Sequence, residues 1–111
     1  MTMYPRKRED NDRYYTETTY GDCLEAIGIP SRAIMVADRN IRPVVGDLVH
    51  CCKIAGALSS YIKDVESISD ELVVRTHYVD STKDFRFVAE EVLGVVVEVR
   101  TLDGDVVYRR K

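Results

Sequence analysis

Two side chains in this sequence have types that could do chemistry together. Cys23 lies in Gly21-Asp22-Cys23-Leu24, a glycine-led turn signal, and Lys63 lies in Tyr61-Ile62-Lys63-Asp64-Val65. A thiol is a nucleophile as its thiolate, and a lysine amine freed of its proton is a general base. Asp22 reads as a helix N-cap with Glu25 three positions later, a capping-box spacing that makes Cys23 the first helical residue. Such a terminus offers free N–H groups and partial positive charge, which favour a thiolate and could hold an oxyanion. The adjacent Asp22 carboxylate opposes ionisation. In a strand, Tyr61, Lys63 and Val65 share one face. If that face points inward, desolvation disfavours an ammonium and leaves an amine available as a base. Each residue also has a plainer reading. Cys23 can be a small buried apolar residue. Lys63 can cover apolar surface with its stem while its head reaches water, and local sequence alone favours that reading.

Bringing the two together requires a scaffold, and the sequence predicts one that is mainly β. Gly28 can end the turn after Cys23 in a left-handed conformation, and Pro30 prevents its continuation. Strands are expected over 33–38, 47–54, 58–65, 71–77, 85–88, 92–101 and 105–109. Ala55-Gly56 joins the second and third as a hairpin, and Leu102-Asp103-Gly104 joins the last two. The stretch 92–101 is the strongest: Val95, Val97 and Val99 alternate with Val96, Glu98 and Arg100, and its valine-rich start reads as buried on both faces. That makes about six or seven strands and one short N-terminal helix. With no βαβ alternation, coiled and partly closed sheets fit better than a parallel sheet. Residues 1–19 read as a partly mobile N-terminal arm, with Tyr14, Tyr15 and Tyr20 beginning to dock, and 20–111 as the domain.

Composition narrows the function. The chain has 111 residues, 45% hydrophobic and 32% charged, which suits a single globular domain. Its net charge of −3 argues against direct nucleic-acid binding. No apolar run suggests a signal peptide or membrane span. Three cysteines, with Cys51 and Cys52 adjacent, make no disulfide framework, so a reducing cytoplasm is the expected location. His50 and His77 stand apart and fit no standard zinc spacing, so neither a metal nor a cofactor is expected.

Taken in order, these features resemble the LexA repressor and UmuD family of self-cleaving serine peptidases, which share the LexA/signal peptidase-like fold. Gly21-Asp22-Cys23-Leu24 stands where the family has a Gly-x-Ser-Met turn. Ile27-Gly28-Ile29 follows, and Ile34-Met35-Val36 stands for the first strand. Gly46-Asp47-Leu48-Val49 resembles the family's next strand start, Tyr61-Ile62-Lys63-Asp64-Val65 the lysine-bearing strand, and Leu93-Gly94-Val95-Val96-Val97 the late Gly-Val-Val strand. The resemblance spans roughly residues 20–100. It implies that Cys23 occupies the place of the serine nucleophile and Lys63 that of the lysine general base, acting on a peptide carbonyl.

The chain departs from the family in four places. Cysteine replaces the serine, Leu24 replaces the methionine, Ser31-Arg32-Ala33 replaces an Asp-Gly-Asp turn, and neither an Ala-Gly bond nor a helix-turn-helix domain precedes Cys23. A thiol beside a lysine can rest as thiolate and ammonium, leaving no base to activate water. The resemblance therefore implies a stand-alone, catalytically impaired domain. It would serve as a regulatory homodimerisation or partner-binding module, as in transcriptional regulation by mobile elements. Two alternatives stand beside it: an active Cys23–Lys63 peptidase acting on a protein partner, and an unrelated small β-barrel-like binding domain with Cys23 in its core.

Overall fold

The computed structural model describes residues 13–54 and 57–111, and side chains outside 53–60. The first twelve residues of the expected arm and the turn at 55–56 lie outside the described residues. Seven strands are formed among the described residues: β1 (Tyr14–Thr18), β2 (Ile34–Asp38), β3 (Leu48–Ile54), β4 (Ala57–Ile68), β5 (Leu72–Arg75), β6 (Arg86–Arg100) and β7 (Val106–Arg109). Every pairing is antiparallel. The fold is mainly β, as composition and patterning implied.

The 15-residue β6 organises the sheet. Its first half pairs with β5 from Arg86 to Ala89 and with β3 from Ala89 to Val95. The hairpin of β3 and β4, with β4 paired to β5, then closes a ring of β3, β4, β5 and β6. The second half of β6 pairs with β2 from Val95 to Arg100 and with β7 from Glu98 to Arg100. The register shifts at His50/Cys51 and Val36/Ala37 let the sheet coil where β6 changes partners. Two apolar clusters result from this arrangement. One includes Val49, Cys51, Val65, Leu72 and Val95, and the other Leu24, Met35, Leu48, Val96 and Val99. Consecutive Val95 and Val96 therefore enter different clusters, which is why the centre of β6 is apolar on both faces.

Two strands run longer than their sequence suggests. The pieces expected at 85–88 and 92–101 are one strand, because β3 and β5 flank the intervening Ala89 and supply its ladder bonds. Strand β4 continues past Val65 to Ile68, where Glu66 faces Arg75 and Arg86, with a carboxylate oxygen 2.6 Å from Arg86 Nε. Cross-strand ion pairs stabilise a segment that reads as a polar turn in isolation.

The expected N-terminal helix is not there. A single 3-10 turn, Glu25–Ile27, follows Leu24, and no side chain caps it. Asp22 contributes its backbone carbonyl to Glu25 N–H at 3.1 Å instead of its carboxylate. Tertiary bonds take the groups a helix would need: His77 N–H donates to the Cys23 carbonyl, and Ala26 N–H donates to the His77 carbonyl at 2.9 Å. Gly28, with φ of 87°, ends the turn in the left-handed region as its sequence suggests.

Part of the expected arm is strand β1, which pairs with β2 along its whole length and, among the described residues, with no other strand. Its anchor is Tyr15. The phenol lies over Gly94 of β6, where a Cβ would sit 2.5 Å from the tyrosine oxygen. That oxygen is 2.7 Å from His50 Nδ1, and the Arg39 guanidinium stacks 4.1 Å over the ring. Beyond β1, buried Thr19 exchanges backbone bonds with Arg32 and Ala33, and its hydroxyl donates to the Pro30 carbonyl at 2.7 Å. The chain is thus held up to the turn that carries Cys23. No helix among the described residues is long and apolar enough to cross a membrane.

Gly94→Ala should force Tyr15 off β6 and destabilise the fold by about 1–3 kcal/mol in denaturant melts. In a Tyr15→Ala background the same change should be neutral or stabilising, because glycine inside a strand is itself unfavourable by about 0.5–1 kcal/mol. Equal costs in both backgrounds would show that Tyr15 does not select the glycine.

Candidate active site

Lys63 enters from β4, opposite Val49 of β3, on the inward face that also carries Val65. It is 6% exposed. Its partners are consistent with that burial: Nζ donates to Cys23 Sγ at 3.1 Å and lies 4.9 Å from the centroid of the Tyr61 ring. The thiol can in turn donate a weak hydrogen bond to the Ile62 carbonyl, 3.7 Å away. The two residues singled out from sequence are therefore in contact, brought together from a surface turn and the middle of a strand.

The turn is fixed to the lysine strand by a second connection. Asp64, the residue after Lys63, accepts through Oδ2 from His77 Nε2–H at 2.6 Å. The backbone of His77 grips the turn on both sides, at the Cys23 carbonyl and the Ala26 N–H. One stretch of β4 thus supplies the amine and, through His77, positions the backbone that carries the thiol. The loop holding His77 is itself tied down by Asp84. Its carboxylate accepts from Tyr78 N–H at 2.7 Å and from Arg75 Nη2 at 3.0 Å, and these bonds, led by Tyr78 N–H, hold it below the usual carboxylate range.

With the helix absent, no helix terminus favours a thiolate at Cys23. The cation within reach of the sulfur is Lys63. Cys51 provides a contrast within the same protein. It is fully buried in the ring, and burial pushes its thiol up to about 12, with Lys63 acting in the opposite direction.

A cleft of about 230 Å³ opens beside Cys23. Glu17, Thr18 and Tyr20 form one wall, and Cys23, His50 and Tyr61 contribute to the rest. His50 read as an isolated histidine, yet it lines this cleft and holds Tyr15. Burial depresses its pKa; Glu17 opposes that shift and Arg39 adds to it. Burial also pushes the Tyr15 phenol up. Only the folded chain joins Tyr15 to His50, so no local pattern signals the pair. The Asp64–His77 clamp escaped the sequence for the same reason, although Asp64 stands next to Lys63. Among the described residues, no three His, Cys, Asp or Glu side chains converge in a group that could hold a metal ion.

No family model matches this chain, and no curated protein or solved structure matches it.

The thiols should be separable by reactivity. In the native protein at neutral pH, iodoacetamide should modify Cys23 at least about 100-fold faster than Cys51, and Lys63→Met should slow Cys23 about tenfold. Similar rates at both sites in mass-resolved labelling would contradict the assignment of Cys23 as the partly exposed, lysine-paired thiol.

The lowered pKa of His50 makes stability depend on pH. The unfolded histidine takes up its proton near the ordinary value of 6.5, and the folded one does so only at lower pH. The stabilisation is therefore complete above 6.5 and is lost as pH falls from there through the folded pKa. The stability difference between the natural protein and His50→Gln should shrink between pH 7 and pH 5 in urea unfolding. A pH-independent difference would exclude this linkage.

Proposed function

We propose that this chain is a peptidase-fold domain resembling the LexA and UmuD peptidases, with Cys23 and Lys63 in the places of the serine and lysine. In this reading it engages a protein or peptide partner at the cleft and turns over poorly. The observation that carries the reading is the 3.1 Å contact between Lys63 Nζ and Cys23 Sγ. The cleft beside the sulfur and the neighbouring strand β1, which among the described residues pairs only with β2, support it, since an extended peptide can add to a strand edge. Self-association through the β6–β7 hairpin belongs to the same reading: Leu102 and Val106 there are exposed, and among the described residues β7 pairs only with β6.

In this reading the proton passes from Cys23 Sγ to Lys63 Nζ across their 3.1 Å contact, and the pair reacts as thiolate and ammonium. The thiolate attacks a carbonyl carbon and forms a C–S bond. The C–N bond then breaks, and the departing amine takes a proton from the Lys63 ammonium. This leaves a thioester on Cys23 beside a neutral amine. Hydrolysis next requires that amine to take a proton from water before solvent reprotonates it. The first half of the reaction is well supplied and the second half is weak.

The test uses an activated ester, p-nitrophenyl acetate. The expected result is a burst of nitrophenolate close to one per chain, with acetyl on Cys23, followed by turnover about 100-fold slower. Lys63→Met should diminish the burst and Cys23→Ala should abolish it. Turnover as fast as the burst would instead favour an active Cys23–Lys63 peptidase. Acetylation that ignores Cys23 would favour a binding domain unrelated to the peptidase fold.

A further inference from the structure

A primary amine held against a thiol can also trap an oxidised sulfur. We propose that Cys23 and Lys63 form a peroxide-responsive covalent pair: Cys23 is oxidised to the sulfenic acid, and the Lys63 amine captures the sulfur as a sulfenamide that a thiol reductant reopens. The proposal uses the same two side chains as the peptidase reading but needs no peptide, ester or turnover. It can therefore hold or fail by itself.

Three features of the molecule carry it. The first is reach. Nζ is already 3.1 Å from Sγ, and Lys63 is buried in a paired strand, so closing an S–N bond requires the atoms to approach by little more than an ångström of side-chain adjustment. The second is access. Cys23 is partly exposed on a cleft wall wide enough to admit a small peroxide, whereas Cys51 and Cys52 are buried. The third is the clamp from Asp64 through His77, which holds the turn against β4 and keeps the sulfur facing the amine. Sulfenic acids condense with a nearby thiol or nitrogen, and here the group placed on the sulfur is a nitrogen.

The steps balance with hydrogen peroxide as the oxidant. The Cys23 thiolate attacks one peroxide oxygen, the O–O bond breaks, and sulfur loses two electrons. The Lys63 ammonium gives its proton to the departing hydroxide, which leaves as water. A neutral amine now faces Cys23 Sγ–OH. Its lone pair forms the N–S bond, the S–O bond breaks, and hydroxide leaves with a proton from nitrogen as a second water. One thiol, one amine and one peroxide become one sulfenamide and two waters. Two equivalents of an external thiol reverse the link and are themselves joined as a disulfide. While the link stands, neither Cys23 nor Lys63 is available for acyl transfer. Closure also spares the sulfur from the irreversible sulfinic and sulfonic states.

The experiment exposes the full chain to near-equimolar hydrogen peroxide, quenches it, and maps the peptides by mass. The expected product joins the Cys23 peptide to the Lys63 peptide, two hydrogens lighter than their sum, and dithiothreitol restores both. Lys63→Arg keeps a cation without a primary amine. In that variant the link should vanish, and dimedone, which labels sulfenic acid, should now mark Cys23. Because the cross-link is read in the natural chain, a poorly folding variant leaves the main result intact. A Cys23 disulfide to Cys51 or Cys52, or Cys23 carried to the sulfinic acid with Lys63 unlinked, would overturn the proposal.

Discussion

The structure depends on one strand serving two halves of the sheet. Strand β6 contributes to the ring with β3, β4 and β5, then pairs with β2 and β7 along its second half. Its midpoint must therefore be apolar on both faces, and Val95 and Val96, both fully buried, meet that requirement. It must also be narrow at Gly94, where Tyr15 crosses it. From this junction β3 carries His50 to Tyr15 and sets β4 in register, which places Lys63 opposite Val49. The Cys23 turn packs on the outer cluster through Leu24 while its sulfur meets an amine from the ring. The candidate site thus joins a turn packed on one apolar cluster to a strand of the ring, and neither part alone contains both halves of it.

Burying a lysine at that junction is unfavourable unless the charge finds partners, and the cost reaches several kcal/mol for a buried ion left alone. Lys63 has a sulfur at 3.1 Å and an aromatic face at 4.9 Å, which offset that cost without the strength of a carboxylate pair. The available carboxylate, Asp64, alternates to the other face of β4 and is committed to His77. A leucine at position 63 would fill an inward face beside Val65 with no charge to satisfy. Local choices that run against stability tend to cluster where a protein has something to do. At this site the cation has the thiol as its partner.

The sequence disclosed those parts that local patterning controls. Valine alternation gave the strong half of β6, and Gly28 marked the end of the Cys23 turn. The ordered motifs pair Cys23 with Lys63, and the fold brings the two into contact. What it withheld depends on contacts between distant segments. The Asp22–Glu25 spacing suggests a helix, but the backbone of His77 takes the Cys23 carbonyl and the Ala26 N–H, and a three-residue turn remains. Strand β1 has no apolar alternation to announce it, because it is held chiefly by its backbone ladder to β2. Its one informative side chain, Tyr15, acquires meaning only against Gly94 and His50. His77 and His50 looked solitary for the same reason: their partners lie 13 and 35 positions away.

Under both proposed reactions the lysine first does the same thing. Whether the electrophile in the cleft is a carbonyl or a peroxide, the ammonium delivers its proton to the leaving group and becomes a neutral amine. The second step depends on the group that this amine meets. Beside a thioester it must find, orient and deprotonate a water, in competition with reprotonation from an open cleft. Beside a sulfenic acid it is itself the nucleophile and its target is already in contact, so the step is intramolecular and has the advantage that proximity confers. A cysteine next to a buried lysine is thus poorly served in the hydrolytic half of one proposed reaction and well served in the closing half of the other. Both effects come from a single distance, that between Lys63 Nζ and Cys23 Sγ.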